Sequence, residues 1–179
     1  MKRIFELTLK DIEGMGKNTL IETIKSSEGR TVMAETVVTV PPLIYGVSNL
    51  ELAAAFGSDM ITLNLFDFQR PFIFGIDDIG INLSEGVSVL SMMEEIALKN
   101  AEDKEYVKKL KKIVGRFIGV NLEPVPEGIK YVEGRKLTRE NLEKAEEYGF
   151  DYVVITGNPN TGVNETTVIQ GIELAKKIL

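Results

Sequence analysis

The sequence predicts an α/β protein in which four βα units follow a helical lead-in, half the strand complement of a (β/α)8 TIM barrel. Three observations carry that prediction. Short apolar runs bounded by turn residues alternate with helical patterns along the chain. These runs have the apolar character of strands that parallel sheets bury on both faces. Two segments also recur: "NLELAAAFGSDMITLN" from Asn49 aligns with "NLEKAEEYGFDYVVIT" from Asn141, and "GRTVMAE" from Gly29 aligns with "GRFIGVN" from Gly115. A duplicated βαβα unit produces self-similarity of this kind. A barrel needs about eight strands, so four make half of one. The alternative is a complete open parallel sheet with helices on both faces.

The elements follow in order. Residues 1–30 read as an amphipathic lead-in, with Leu20, Ile21 and Ile24 on one face and "SSEGR" ending it. A strand is expected over Thr31–Val38, then a Pro41-Pro42 loop, then a helix over Leu50–Phe56 capped by Ser48 or Asn49 and ended by Gly57. The second strand spans Met60–Leu65. An irregular stretch, Phe68–Gly86, separates it from helical segments within Val87–Val114, and a third strand runs over Phe117–Leu122. Thr138 opens a helix to Tyr148, Gly149 stops it, and Tyr152–Ile155 leads into the last helix. The 179 residues form a single α/β domain on this reading, with 31–179 as the (βα)4 body.

Composition narrows the chemistry. A net charge of −6 argues against a nucleic-acid or anionic-membrane partner. No apolar run suits a signal peptide or a bilayer span, so a cytoplasmic protein is expected. With neither cysteine nor histidine in the sequence, thiolate nucleophiles, imidazole bases and metal sites built on those ligands are excluded. Proton chemistry falls to carboxylates, Lys, Tyr or water.

Polar residues gather at the carboxyl ends of the four strands: Glu35 and Thr36, Asn64 and Asp67, Asn121 and Glu123, Thr156 and Asn158. Both candidate architectures bind ligands at this edge. Buried polar groups are costly unless paired. Glu35, inside "VMAETVV", is therefore read as a buried catalytic or ligand carboxylate, or else as an ion pair with Arg30 or Arg116. Glu123 is either an assisting carboxylate or a strand exit before Pro124. Asp67 is either an assisting carboxylate or the cap of its own turn. Asn64 and Asn121 either orient a substrate or tie loops together. Asp77-Asp78 read as a solvated turn, and "KEYVKKLKK" as a solvated helix face.

The segment Thr156-Gly157-Asn158-Pro159-Asn160-Thr161-Gly162 joins a strand to a helix that Asn164 can cap. Gly157 and Gly162 permit tight turns and close backbone approach. Free amides at the helix start would then hold a phosphate or carboxylate; otherwise the segment is a well-made βα turn.

"SNLELAAAFGSDMITLNLFD", "GVNLEPV" and "DYVVITGNPNTGV" together resemble a prokaryotic TIM-barrel family, phosphonomutase-like and distantly similar to the BtpA group. The resemblance implies a barrel of about eight strands. It also implies Mg²⁺ held by carboxylates and water, for which Glu35, Asp67 and Glu123 are the candidates. On this basis the chain is expected to bind a small anionic, phosphorylated metabolite and to support lyase or isomerase chemistry. Glu35 would act as acid/base or metal ligand, Asp67 and Glu123 would assist, and Asn64 and Asn121 would orient the substrate. The alternatives are a non-catalytic binding or assembly module and an inactive half-barrel fragment. Four strands cannot close a barrel, so a homodimer or larger homo-oligomer is expected. Val32, Ala34, Ile118, Val120, Val153 or their neighbours are expected to line its inner side.

Overall fold

Turn chemistry sets where each strand begins. Gly57 and Gly149 adopt positive φ after their helices, a conformation that glycine reaches without steric cost. Each is followed by an aspartate that locks the next strand in place. In the computed structural model, which describes residues 2–79, 81 and 88–179, Asp59 accepts the Val32 amide at 2.8 Å and returns its own amide to the Val32 carbonyl at 2.8 Å. Asp151 makes the same reciprocal pair with Ile118, again at 2.8 Å each way. The repeat read from sequence is thus a repeat of hydrogen bonding.

The strands are β1 (Met33–Val37), β2 (Met60–Asn64), β3 (Phe117–Leu122) and β4 (Tyr152–Ile155). All pairings are parallel and the order is β1-β2-β3-β4. A doubly wound sheet reverses its strand order to place crossovers on both faces; this order shows no reversal and is that of successive barrel strands. Residues 80 and 82–86 of the irregular stretch, and Val87 where the helical segments were expected to begin, lie outside the described residues.

The lead-in comprises a short 3₁₀ turn, Ile4–Glu6, with α1 (Leu9–Glu13) and α2 (Lys17–Ser26). The crossovers use α3 (Asn49–Ala55), α4 (Val89–Glu102), α5 (Tyr106–Val114) and α6 (Arg139–Tyr148); α7 (Glu165–Ile178) follows β4. Ser48 caps α3 by accepting the Glu51 amide, and Glu51 returns to the Ser48 amide at 2.9 Å.

Because side chains alternate across a strand, the register divides the sheet into two faces. Ile61, Leu63, Ile118, Val120 and Leu122 point into the core formed with Leu110, Leu142 and Tyr148 from the crossover helices. The other face carries, in rising layers, Met33, Met60 and Phe117; then Glu35, Thr62, Gly119 and Tyr152; then Val37, Asn64, Asn121 and Val154. Its lowest layer is sealed by the lead-in, where Ile4, Ile12 and Leu20 bury Met60 and Phe117. Burying a side chain such as Phe117 contributes about 1.5–3 kcal/mol.

Of the residues expected on the inner side and their neighbours, it is the neighbours that line the open face. Ile118 and Val120 are fully buried on the helix-covered face, because strand periodicity fixes which residues share a face but not which face the helices cover. Within the lead-in, Leu20 is buried while Ile21 is exposed. The lysine run of α5 is not wholly solvated either. Lys111 forms a 2.7 Å ion pair with Asp151, both side chains nearly buried. The Asp77-Asp78 turn is half-buried: Asp77 accepts from the Ile73 amide at 2.6 Å and from the Tyr106 hydroxyl at 2.5 Å. Burial pushes the Asp77 carboxyl up against these donors.

Candidate functional site

The two layers nearest the strand ends bring together three of the residues expected there, Glu35 from the lower layer and Asn64 and Asn121 from the upper. Glu35 on β1 accepts from the Asn64 side-chain amide at 2.6 Å and from the Asn121 amide at 3.1 Å. A carboxylate can only accept, so both amides must turn their nitrogen towards Glu35. Asn121 is 7% exposed and its Oδ1 has no partner among the described residues. An orphaned buried acceptor costs about 1–3 kcal/mol, and that cost falls on the residue that orients the carboxylate.

Glu35 itself is exposed, contrary to the buried carboxylate expected, because it stands on the open face of an edge strand. Nor does it pair with an arginine. Arg30 bonds Glu28 at 2.7 Å, and Arg116 donates to the Ser58 carbonyl at 2.6 Å.

In the same layer as Glu35, Tyr152 lies across the sheet so that its hydroxyl meets that of Thr62 at 2.9 Å. Only glycine lets it do so: a Cβ on Gly119 would fall 2.1 Å from the Tyr152 ring. Burial pushes the Tyr152 hydroxyl up to about 12, so it remains a neutral phenol beneath the Glu35 cluster. Composition could not reveal this floor, since it depends on one glycine and one tyrosine from adjacent strands.

Glu123 stands apart from this cluster in its bonding. Its carboxylate accepts from the Tyr131 hydroxyl at 2.8 Å and from the Thr161 hydroxyl at 2.9 Å, which ties the loop after β3 to the loop after β4. Asp67 accepts the Gln69 amide at 2.9 Å, the turn-capping role that was its alternative reading. Among the described residues no three carboxylates gather as a cation site. Glu35, Asp67 and Glu123 therefore do not gather as the expected Mg²⁺ ligand set.

The Thr156–Gly162 segment folds on itself. Asn158 takes the Asn160 amide on its side chain at 3.1 Å and the Thr161 amide on its carbonyl at 3.0 Å. Asn164 caps α7 by accepting the Thr167 amide at 3.2 Å, while Thr167 accepts the Asn164 amide at 3.0 Å. Glu165 adds a negative charge to the first helical turn, where an anion would otherwise be favoured. Gly162 has φ of 75° and Val163 packs on Gly157, so these glycines serve the turn. Of the residues expected to hold an anion, Thr156, Asn160 and Thr161 have their amides engaged, as do Asn164 and Thr167 at the helix start, which is the pattern of a capped βα turn, the alternative reading of this segment.

Arg135 is the residue that sequence reading missed. It sits in "EGRKLT", a stretch that reads as loop, yet the bridge between Glu123 and Lys136 extends the sheet through it. The signal available was the same Gly-Arg pair that opens β1 and β3.

Strand order and strand-end cluster together define a parallel α/β protein of barrel-type topology with an amide-oriented carboxylate on its open face. The chain belongs to DUF7916, a family described as a domain of unknown function, whose model matches residues 5–179. Neither a curated protein nor a solved structure matches it. Among the described residues no helix is long and apolar enough to cross a membrane.

Proposed function

We propose that the open strand-end face binds a small anionic metabolite and that Glu35 is its general base, in a barrel-type enzyme of phosphonomutase-like, lyase or isomerase character. The observation that supports this reading is Asn121, buried and left with an orphaned acceptor while its donor aims at Glu35. Two amide donors orient the carboxylate, and the exposed side leaves room for a substrate C–H or O–H. In the step read here, a Glu35 oxygen takes a proton from carbon next to a carbonyl, the C–H electron pair passes into an enolate, and the proton returns to either carbon face. Asn158 and Asn160 present exposed side chains to the substrate's anionic group.

Phosphonopyruvate, whose methylene is acidic, is a direct probe. Its exchange with D₂O, followed by proton NMR, should be catalysed by the protein and slowed about a hundredfold or more by Glu35→Gln. Equal exchange in the two proteins would remove Glu35 from the role.

A second reading, self-association into an assembly, rests on the surface beside β1. In the repeat, Phe56 corresponds to Tyr148. Tyr148 is covered and donates to the Ala101 carbonyl at 2.5 Å, whereas Phe56 is 85% exposed. Val32, Met33, Leu43 and Tyr45 are exposed as well, and β1 and β4 each have one paired neighbour in the described sheet. A two-fold association of the 179-residue chain would set the β1 edge of one copy along the β4 edge of another. Sedimentation velocity at micromolar concentration should show a dimer, with Phe56→Glu and Met33→Lys together returning it to monomer. A monomeric parent chain would end this reading and leave the Glu35 assignment untouched.

A further inference from the structure

A cleft of about 370 Å³ opens beside the end of β2, and none of Glu35, Asn64 and Asn121 lines it. Its polar floor comes from a close backbone approach. Gly134 donates no side chain where a Cβ would lie 1.8 Å from Asp67 Oδ1, and its carbonyl accepts the Phe68 amide at 3.0 Å. That contact brings Arg135 alongside Asp67, with the Arg135 carbonyl held by the Glu123 amide at 3.1 Å. The walls are apolar and include Phe72, Phe74 and Leu90. The two phenylalanines meet edge to face, with centroids 5.2 Å apart.

Charge in the cleft is incompletely paired. Arg70 is engaged by Glu94 at 3.4 Å. Arg135 keeps a buried Nε with no hydrogen-bond partner among the described residues. Asp67 commits Oδ1 to the Gln69 amide, which leaves Oδ2 to accept from a ligand. Leu65, lining the same cleft, has φ of 63°. A bulky residue in the left-handed region is strained, and such strain concentrates at functional sites.

We propose that this cleft binds a carboxylic acid bearing an amino or hydroxyl donor on the adjacent carbon and an apolar side chain. Its carboxylate would meet the Arg135 guanidinium, whose planar fork matches it. The neighbouring donor would reach Asp67 Oδ2, and the apolar body would lie against Phe72, Phe74 and Leu90. Because one cation and one anion are free to engage, a ligand with both a carboxylate and a donor satisfies the cleft better than a bare anion. The inference goes beyond the Glu35 reading and does not depend on it.

Isothermal titration with L-phenylalanine, L-3-phenyllactate, 3-phenylpropanoate, phenethylamine and inorganic phosphate tests it. At least one of the first two should bind, 3-phenylpropanoate and phenethylamine should bind tenfold or more weakly, and phosphate weakest. Arg135→Gln should lower affinity at least tenfold, and Asp67→Asn, which can still hold the Gln69 amide, should narrow the gap between the donor-bearing acid and 3-phenylpropanoate. Circular dichroism checks that the variants are folded. Should Arg135→Gln unfold, Leu90→Glu places the block on a side chain that is 76% exposed and should lower affinity equally. Absence of binding by both donor-bearing acids, phosphate binding as tightly as they do, or unchanged affinity in a folded Arg135→Gln or in Leu90→Glu would each overturn the proposal.

Discussion

Lys111→Met is expected to cost about 3–5 kcal/mol at neutral pH, because it strands the Asp151 carboxylate in a nearly buried position. With Lys111 gone, one described donor remains to Asp151, the Ile118 amide at 2.8 Å. The loss should depend on pH with a definite sign. Burial already raises the Asp151 carboxyl above its ordinary value, opposed first by Lys111 and then by the Ile118 amide. A carboxyl whose folded pKa lies above its unfolded one favours folding fully below the unfolded value, about 3.9. That contribution disappears as pH rises through the folded value. Removing Lys111 lifts the folded value further, so the variant's deficit should shrink as pH falls from 7 towards 4. Urea unfolding of parent and variant at several pH values measures this. A deficit that stays constant over that range would mean that Asp151 is not stranded. Asp151→Asn added to Lys111→Met should restore most of the loss, since an amide oxygen still accepts from Ile118 without carrying a charge.

Gly119→Ala should destabilise the protein by about 3 kcal/mol, through overpacking against the Tyr152 ring and loss of its bond to Thr62. The added Cβ would overlap three ring atoms, at 2.1 and 2.4 Å, and the ring is held from both ends, by Thr62 and by the lead-in. A double-mutant cycle isolates the cause. In a Tyr152→Ala background the same Gly119→Ala change should cost much less, giving a coupling energy of a few kcal/mol. Equal costs in the two backgrounds would show that backbone conformation at Gly119, not the ring, sets the requirement.

The sequence made some levels of this structure readable and hid others, for physical reasons. Strand positions were legible from apolar runs, and β2 and β3 fall within a residue of expectation because Gly57, Asp59 and Gly115 punctuate their starts. Asn64 and Asn121 were legible as strand-end amides, since each ends an apolar run, but not as the donors that hold Glu35. Which face the helices cover was not legible, because alternation is symmetric with respect to the two sides of a sheet. Lys111 looked solvated since a helical charge run is usually surface, and only the position of Asp151 on a neighbouring turn draws it inward. Arg135 and Tyr152 acquire meaning from residues that approach them, Asp67 in one case and Gly119 in the other. Such close approaches leave no periodic trace.

The lead-in has a consequence for how the chain is made. Ile4, Ile12 and Leu20 are translated before the rest of the surface they cover, which is completed by Phe117 and Tyr152 more than ninety positions later in the chain. During translation that apolar helical segment must wait undocked, and loop-closure entropy opposes the late contact. Assembly in vitro should therefore carry a slow final phase in which the lead-in swings onto a sheet that is already paired. Until it does, Met60 and Phe117 remain open to chaperones and to other chains, so a segment translated before the sheet docks only after the sheet has formed.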